Sequence, residues 1–197
     1  MKDREGKSGE DQRLVVGISG ASGVVYGVRL LSALRALNVE THTIITRPAE
    51  VTLKQEMDLS GDQVRALATH AYDEEDLAAS IASGSFRTHG MVVAPCSIKS
   101  LSAIANSYTH NLLVRAADVT LKEGRPLILV VRETPLHLGH LRLLVQAAEM
   151  GAVIFPPVPA FYAHPATVEA IVDQSVGRIL ARLGLDNNFY TVWQKRI

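Results

Sequence analysis

The chain has 197 residues, of which 47% are hydrophobic, and its 20 lysine and arginine residues balance its 20 aspartate and glutamate residues. This length favours one domain with a sizeable core, and the zero net charge argues against a nucleic-acid partner, which a broad basic surface would attract. A single cysteine, a charged segment 1–12 where a signal peptide would be apolar, and no apolar stretch long enough to span a bilayer together predict a cytoplasmic protein.

Apolar runs alternate with segments of helical periodicity along the chain. Strands are predicted over 14–18, 40–46, 91–94, 127–131 and 153–155, and helices over about 24–37, 50–55, 101–107, 138–150 and 167–183. Residues 58–87 are polar and less regular. Short, nearly all-apolar strands are typical of a parallel sheet that helices cover on both faces. The pattern therefore predicts an α/β fold of three layers with a doubly wound parallel sheet.

A glycine-rich segment, GISGASG at 17–23, directly follows the first strand and precedes the first helix. Such a turn presents free backbone N–H groups at the positive end of a helix, where a phosphate can bind. The segment matches neither the Walker loop nor the dinucleotide fingerprint GxGxxG. On this loop alone, an ordinary strand-to-helix turn is an equal alternative.

Other polar groups follow the predicted strands, and the carboxyl ends of parallel strands share one rim where ligands bind. These groups are Ser19–Gly23, Thr46–Arg47, Pro95–Ser97, Arg132–Glu133 and the segment Pro156–Tyr162. Hydroxyls, glycines and arginines at one rim favour an anionic ligand. The sequence has no cluster with metal-ligand spacing and no GxSxG elbow, and we interpret His137 and His140 as packing residues that share a helix face.

Several longer motifs carry a family resemblance. They are VGISGASG at 16–23 with YGVRLL at 26–31, ASIASGSF at 79–86, APCSIKSLS at 94–102, RAADV at 115–119 with Lys122-Glu123, RETPLHL at 132–138 and PPVPAFY at 156–162. With these motifs in this order, the chain resembles the UbiX-type flavin prenyltransferases over residues 13–193.

The resemblance implies a Rossmann-like or flavodoxin-like fold and a transferase that joins a dimethylallyl group from dimethylallyl phosphate to N5 and C6 of reduced FMN, without a metal. The product, prenylated FMN, would serve a partner decarboxylase of the UbiD type, a class placed in ubiquinone biosynthesis. Family members commonly form homododecamers with active sites shared between subunits. Such assembly would account for the positive mean hydropathy of +0.14.

The resemblance also assigns residues to the flavin. The FMN-binding positions that it implies are Gly20, Ala21, Ser22, Thr46, Ser97, Ile98, Lys99, Ser100 and Arg132. Ser22 also matches a position near the reacting flavin edge, where it would relay a proton.

A second set matches the surroundings of dimethylallyl phosphate. Arg115, Lys122, Tyr162, Arg178 and Trp193 are the implied substrate-binding residues, and Ser22, Glu56, Glu133 and Lys122 are the implied catalytic ones. Fixed positive charge suits a departing phosphate. Glu133 is the candidate base for the flavin C6 proton, and Glu56 is the candidate that exchanges a proton with the phosphate.

Residues 13–185 would form the flavoprotein domain, residues 1–12 a disordered charged segment, and residues 186–197 a tail that closes the site.

Each assignment has a structural alternative. Arg115 could pair with Asp118, Glu133 could pair with Arg132, and Tyr162 could be a core residue. Cys96 is interpreted as a small buried side chain without a catalytic role. The chain departs from the family at Thr46-Arg47-Pro48, where Pro48 lacks a backbone donor, and at Ala163, where a histidine usually follows the tyrosine.

Two other functions remain open from the sequence. One is an FMN-dependent decarboxylase of the cysteine type, although the chain has Pro95-Cys96-Ser97 in place of that family's signature. The other is a non-catalytic flavin carrier, which would not need a second phosphate site.

Overall fold

A computed structural model describes residues 13–193 as six parallel strands and seven helices. The strands are β1 (Arg13–Ile18), β2 (Glu40–Ile45), β3 (His70–Tyr72), β4 (Gly90–Cys96), β5 (Leu127–Val131) and β6 (Val153–Ile154). The helices are α1 (Val25–Ala36), α2 (Arg47–Met57), α3 (Gly61–Arg65), α4 (Ile98–Ala105), α5 (Leu112–Lys122), α6 (Leu138–Glu149) and α7 (Val168–Arg182). Single 3₁₀ turns lie at Ser80–Ala82 and Phe161–Ala163.

The sheet has strand order β3-β2-β1-β4-β5-β6 and separates two apolar cores. One core lies between the sheet and helices α1, α2 and α7, and the other between the sheet and helices α4, α5 and α6. Every residue of β4 and β5 is buried, as both faces of a covered parallel sheet require. The predicted three-layer, doubly wound α/β fold is confirmed.

The strand order reverses between β1 and β4, because the chain moves outward from β1 to β3 and then returns beside β1. Helix α1 crosses the sheet very closely at this point. A Cβ atom added to Gly27 would lie 2.2 Å from the carbonyl oxygen of Ala94 in β4, so only glycine fits there. The loops after β1 and β4 therefore frame the crevice where ligands of such sheets bind.

Three elements of the structure, α5, β3 and α3, were not predicted from the sequence. Helix α5 is buried along one face. It was not predicted because it directly follows α4, so that two helices lie between β4 and β5 where strict alternation has one. Strand β3 and helix α3 lie within the polar region 58–87, since a three-residue edge strand and a five-residue helix are too short for a periodic signal.

Helices α2 and α4 begin three residues earlier than predicted, because Thr46 and Ser97 cap them through side-chain hydrogen bonds. No helix within residues 13–193 combines the length and the apolar character that a bilayer crossing requires. The predicted disordered segment 1–12 and the last four residues of the predicted tail lie outside the described residues.

Candidate active site

Ser19 joins the loops that follow β1 and β4. Its hydroxyl donates to the carbonyl oxygen of Pro95 at 2.9 Å and accepts from the backbone N–H of Ser97 at 2.8 Å. The side chain is buried, so these two hydrogen bonds are protected from water. Ser19 belongs to the predicted rim but not to the predicted site residues, because a positioning hydroxyl has no motif of its own.

The loop after β1 also packs tightly against α2. A Cβ atom at Gly20 would lie 2.4 Å from the Cβ atom of Pro48, which leaves no room for a side chain. Pro48 is the second residue of α2, within the first turn, where a backbone N–H would have no partner in the helix. The missing donor of Pro48 therefore costs no helical hydrogen bond.

The start of α1 is occupied by a carboxylate of the chain itself. Glu56 accepts hydrogen bonds from the backbone N–H groups of Gly23 at 2.8 Å and Val24 at 3.3 Å through one oxygen. Arg132 donates to the carbonyl oxygen of Ser22 at 3.0 Å from the other side. The N–H groups that the sequence offers to a phosphate at this helix are thus used by Glu56, which differs from the simple anion cradle expected for residues 17–23.

A second helix start, that of α4, faces an open cavity. Ser97 accepts from the backbone N–H of Ser100 at 3.2 Å and donates to the Ser100 hydroxyl at 3.2 Å. The first N–H groups of a helix have no partner within it, so Ile98 and Lys99 present donors here. Hydroxyls, backbone donors and the positive end of the helix suit a phosphate or a polar ring edge.

The cavity beside α4 has a volume of about 270 Å³ and is built from the segments that follow strands β1 to β5 and from the start of α5. Its lining comprises Gly20, Thr46, Pro48, Glu74, Ser97, Ile98, Lys99, Ser100, His110, Asn111 and Glu133. Most of the predicted FMN-binding residues therefore lie around one cavity. This donor set fits a flavin nucleotide.

Glu74 was not identified from the sequence. Its carboxylate accepts from the backbone N–H of Arg47 at 2.8 Å and from the side chain of Asn111 at 3.0 Å. It therefore links the starts of α2 and α5 across the cavity. The residue lies in the polar region 58–87, where nothing in the local pattern distinguishes it from its acidic neighbours.

Glu133 is exposed beside the cavity and does not pair with Arg132. Its carboxylate accepts from the backbone N–H of Thr134 at 2.9 Å, whereas the Arg132 guanidinium contacts Ser22. The alternative in which the two side chains neutralise each other is therefore not observed. One oxygen of Glu133 is free of that bond and available for a proton.

Tyr162 contacts the C-terminal tail. Its hydroxyl donates to the carbonyl oxygen of Thr191 at 3.2 Å, and its ring meets Trp193 edge to face at 5.2 Å between centroids. Gln174 donates to the same hydroxyl and carbonyl at 3.2 Å and accepts from the Thr191 N–H at 2.8 Å. Tyr162 is 38% exposed and is not a core residue.

Arg178 belongs to this second group of residues. Its guanidinium lies over the Tyr190 ring at 5.4 Å. A Cβ atom at Gly177 would lie 2.9 Å from the backbone of Phe189 and Tyr190, so the tail rests directly on α7. Arg178 thus contacts the tail at Tyr190, and Tyr162 contacts it at Thr191 and Trp193.

Arg115 and Lys122 form a third group on α5. Arg115 donates to the carbonyl oxygen of Ala82 at 3.1 Å and pairs with Asp118 at 3.1 Å, and Lys122 pairs with Glu123 at 2.5 Å. The Arg115–Asp118 pair anticipated as an alternative is present. Lys122 is the last residue of α5, and the other end of that helix borders the cavity. At about 1.5 Å per residue, the two ends of the helix are about 15 Å apart. Within residues 13–193, neither side chain contacts the cavity or Arg178.

Two findings from comparison define the family. The model of the family described as Flavoprotein matches residues 2–180. The flavin prenyltransferase UbiX of Escherichia coli K12 is 57% identical over 186 residues, which cover 93% of this chain and 98% of that protein. The chain belongs to the UbiX family of flavin prenyltransferases.

Solved UbiX structures share the fold closely. AnUbiX (PadA1), crystallised with FMN and dimethylallyl pyrophosphate, is 48% identical, has a TM-score of 0.93 and matches over 95% of this chain and 100% of that one. A dodecameric FMN-dependent UbiX-like decarboxylase from Escherichia coli O157:H7 is 47% identical, with a TM-score of 0.91 and coverage of 93% and 100%. The cysteine decarboxylase TvaF is 19% identical with a TM-score of 0.59, over 84% of this chain and 98% of that one, and shares the fold alone.

Cys96 is fully buried at the end of β4, and burial raises the pKa of its thiol to about 12. We expect the native protein not to react with a thiol reagent at neutral pH, because the thiolate is the reactive form. A colorimetric thiol assay of native and urea-unfolded protein tests this, with the unfolded chain as the control that reacts fully. Equal rates in the two states would show that Cys96 is accessible.

Proposed function

We propose that this chain is a flavin prenyltransferase that joins the dimethylallyl group of dimethylallyl phosphate to N5 and C6 of reduced FMN. The observation that carries the proposal is the cavity at the switch point, where donors suited to a flavin nucleotide lie beside the Glu133 carboxylate, which does not pair with Arg132. The family relationship supports the same reaction. When bound, reduced FMN supplies the accepting atoms, and dimethylallyl phosphate supplies the five-carbon unit and the leaving phosphate.

Different residues around the cavity would contact different parts of the flavin nucleotide. Ser97, Ser100 and the first N–H groups of α4 would hold polar atoms on one side, and Gly20, packed against Pro48, lines the other. Arg132 donates to the Ser22 carbonyl oxygen, which would hold the Ser22 hydroxyl near the flavin edge. Preorganised donors of this kind stabilise charge more strongly in a dry site than water does.

Glu133 would accept the proton that leaves the flavin when the new ring closes. Its exposed carboxylate borders the cavity and is not neutralised by Arg132. Glu56 would exchange a proton with the phosphate from its position against Gly23 and Val24. General acid–base catalysis of this kind typically contributes a factor of about 10² to 10⁴.

Tyr162, Arg178 and Trp193 would bind the dimethylallyl phosphate. Arg178 supplies fixed positive charge for the phosphate, and the aromatic faces of Tyr162 and Trp193 attract the positive charge that develops on the allylic group. Side-chain cations would replace the metal that stabilises the leaving group in other prenyl transfers. We therefore propose a metal-independent reaction.

Arg115 and Lys122 would complete the phosphate site of a neighbouring subunit. They lie away from the cavity of their own chain. Helix α6 also exposes a row of large apolar side chains, including Leu138, Leu141 and Val145, as a subunit interface would. We propose a homo-oligomer, a dodecamer as in the UbiX-like relative, in which α5 of one subunit reaches the cavity of the next.

The product would serve a UbiD-type decarboxylase in the cytoplasm. The cysteine-decarboxylase alternative is not favoured, because its similarity is limited to the fold. A flavin carrier would need the cavity. It would not need the residues at the tail, Tyr162, Arg178 and Trp193, or the cationic side chains Arg115 and Lys122 of α5.

The first test is the mass of the flavin released after anaerobic incubation with reduced FMN and dimethylallyl phosphate, without added metal. We expect the flavin to gain one five-carbon unit. Protein incubated without the prenyl donor is the control. Release of unmodified FMN from a protein that binds it tightly would instead support a carrier.

Glu133→Gln should slow ring closure by about 10² to 10⁴-fold, because the amide cannot accept the proton. Flavin binding should remain, since Gln keeps the shape of the side chain. Stopped-flow absorbance of the flavin measures the rate. Asp62→Asn, which neutralises an exposed carboxylate on α3, is the matched control, and an unchanged rate in Glu133→Gln would show that another group is the base.

Subunit sharing predicts complementation between inactive variants. Arg115→Ala and Glu133→Gln, coexpressed in equal amounts, should regain about one quarter of wild-type activity, because a random oligomer then contains sites with both native residues. Arg115→Ala with Lys122→Ala is the matched control and should regain none, since both residues come from one α5 helix. Equal activity of the two mixtures would contradict a shared site.

A further inference from the structure

A cluster of metal-ligating side chains lies far from the candidate active site, at the amino ends of β2 and β3. Glu40, His42 and His70 each offer one ligand atom, and these three atoms lie within 4.8 Å of one another. Glu40 begins β2, and Thr46, which borders the active-site cavity, follows the end of that strand. At about 3.3 Å per residue, the two sites are about 20 Å apart.

The strand register explains why these side chains meet. His42 and His70 are partners in the parallel pairing of β2 with β3, so their side chains lie side by side on one face of the sheet. Residues two apart on a strand share a face, which adds Glu40 on β2 and Tyr72 on β3. The two imidazole rings stack at 4.7 Å between centroids.

The distances within the cluster suit a metal ion. Glu40 Oε1 lies 3.0 Å from His42 Nε2 and 3.5 Å from His70 Nε2. Ligand atoms in a tetrahedral zinc site with bonds of 2.0–2.1 Å are roughly 3.3 Å apart. The ligand atoms of the two histidines lie within 4.8 Å of each other, so side-chain movement can bring all three atoms around one ion.

Neighbouring residues hold the ligands in place, as the partners of metal ligands usually do. His42 is buried, and its Nδ1 lies 2.9 Å from the hydroxyl of Tyr72. Arg13 donates to Glu40 Oε2 at 2.9 Å, which leaves Oε1 for the histidines. With an ion on Nε2, the single ring proton of neutral His42 would lie on Nδ1 and be donated to the Tyr72 hydroxyl.

The cluster is also reachable from solvent. Glu40 and His70 line a surface cavity of about 650 Å³, and the His70 side chain is 51% exposed. Three protein ligands leave the fourth position of a tetrahedral ion for water from this cavity. Two imidazoles and one carboxylate favour zinc and similar transition metals over magnesium or calcium.

We propose that Glu40, His42 and His70 form a zinc-binding site that joins the edge strand β3 to β2. Binding would add a cross-link to a strand of only three residues and couple metal binding to the folding of this edge. The site would stabilise the edge of the sheet and has no part in prenyl transfer.

Equilibrium dialysis of the full, tag-free chain against Zn²⁺, with the metal content measured by mass spectrometry, tests the proposal. The wild-type protein should bind one zinc per chain at this site. His70→Gln should lose that equivalent or bind it at least about 100-fold more weakly, because loss of a ligand costs more than loss of an outer-shell partner, which typically costs about 10- to 100-fold. Co²⁺ should give visible absorption bands with the wild-type protein that His70→Gln lacks.

His137→Asn is the matched control. It removes the tilted ring contact that His137 forms with His140, while asparagine still caps α6, and it should bind zinc like the wild type. Glu40→Gln provides a second ligand variant if His70→Gln does not fold, as circular dichroism would show. A wild-type protein that retains no zinc, or unchanged binding in a folded ligand variant, would overturn the proposal.

Discussion

The hydrogen bonds of Ser19 hold together the part of the molecule on which the candidate site depends. The strand order reverses between β1 and β4, so the two loops at this point leave the sheet in different directions and form a crevice. One buried hydroxyl links them, because it donates to Pro95 and accepts from Ser97. This bond sets the position of Ser97, and Ser97 in turn caps α4 and orients the donors that face the cavity.

The fold was largely predictable because its strands are short apolar runs and its main helices are amphipathic. Hydrophobic periodicity did not predict the elements whose formation depends on tertiary contacts. Strand β3 has three residues and depends on its pairing with β2, and α5 follows α4 through a loop rather than a strand. The early starts of α2 and α4 depend on single capping residues, Thr46 and Ser97, whose effect reaches only one turn.

The sequence names candidate site residues but not how they are arranged. Motif resemblance selected residues that the structure divides into three groups, around the cavity, around the tail and on α5. Sequence order carries no information about which of these groups share a subunit. It also did not reveal Glu74, whose role depends on contacts with Arg47 and Asn111, or Glu56 as the partner of the α1 amino end. The cluster of Glu40, His42 and His70 was not predicted, because two helices separate Glu40 and His42 from His70 in the sequence.

The docking of the tail on α7 has a spectroscopic consequence. Trp193 is the single tryptophan of the sequence, and it lies against Tyr162 while 70% of its surface faces solvent. Indole emission from this chain therefore originates at one place, the contact between the tail and the 3₁₀ turn at Phe161–Ala163. Its wavelength and intensity monitor the docked tail directly, without an introduced label.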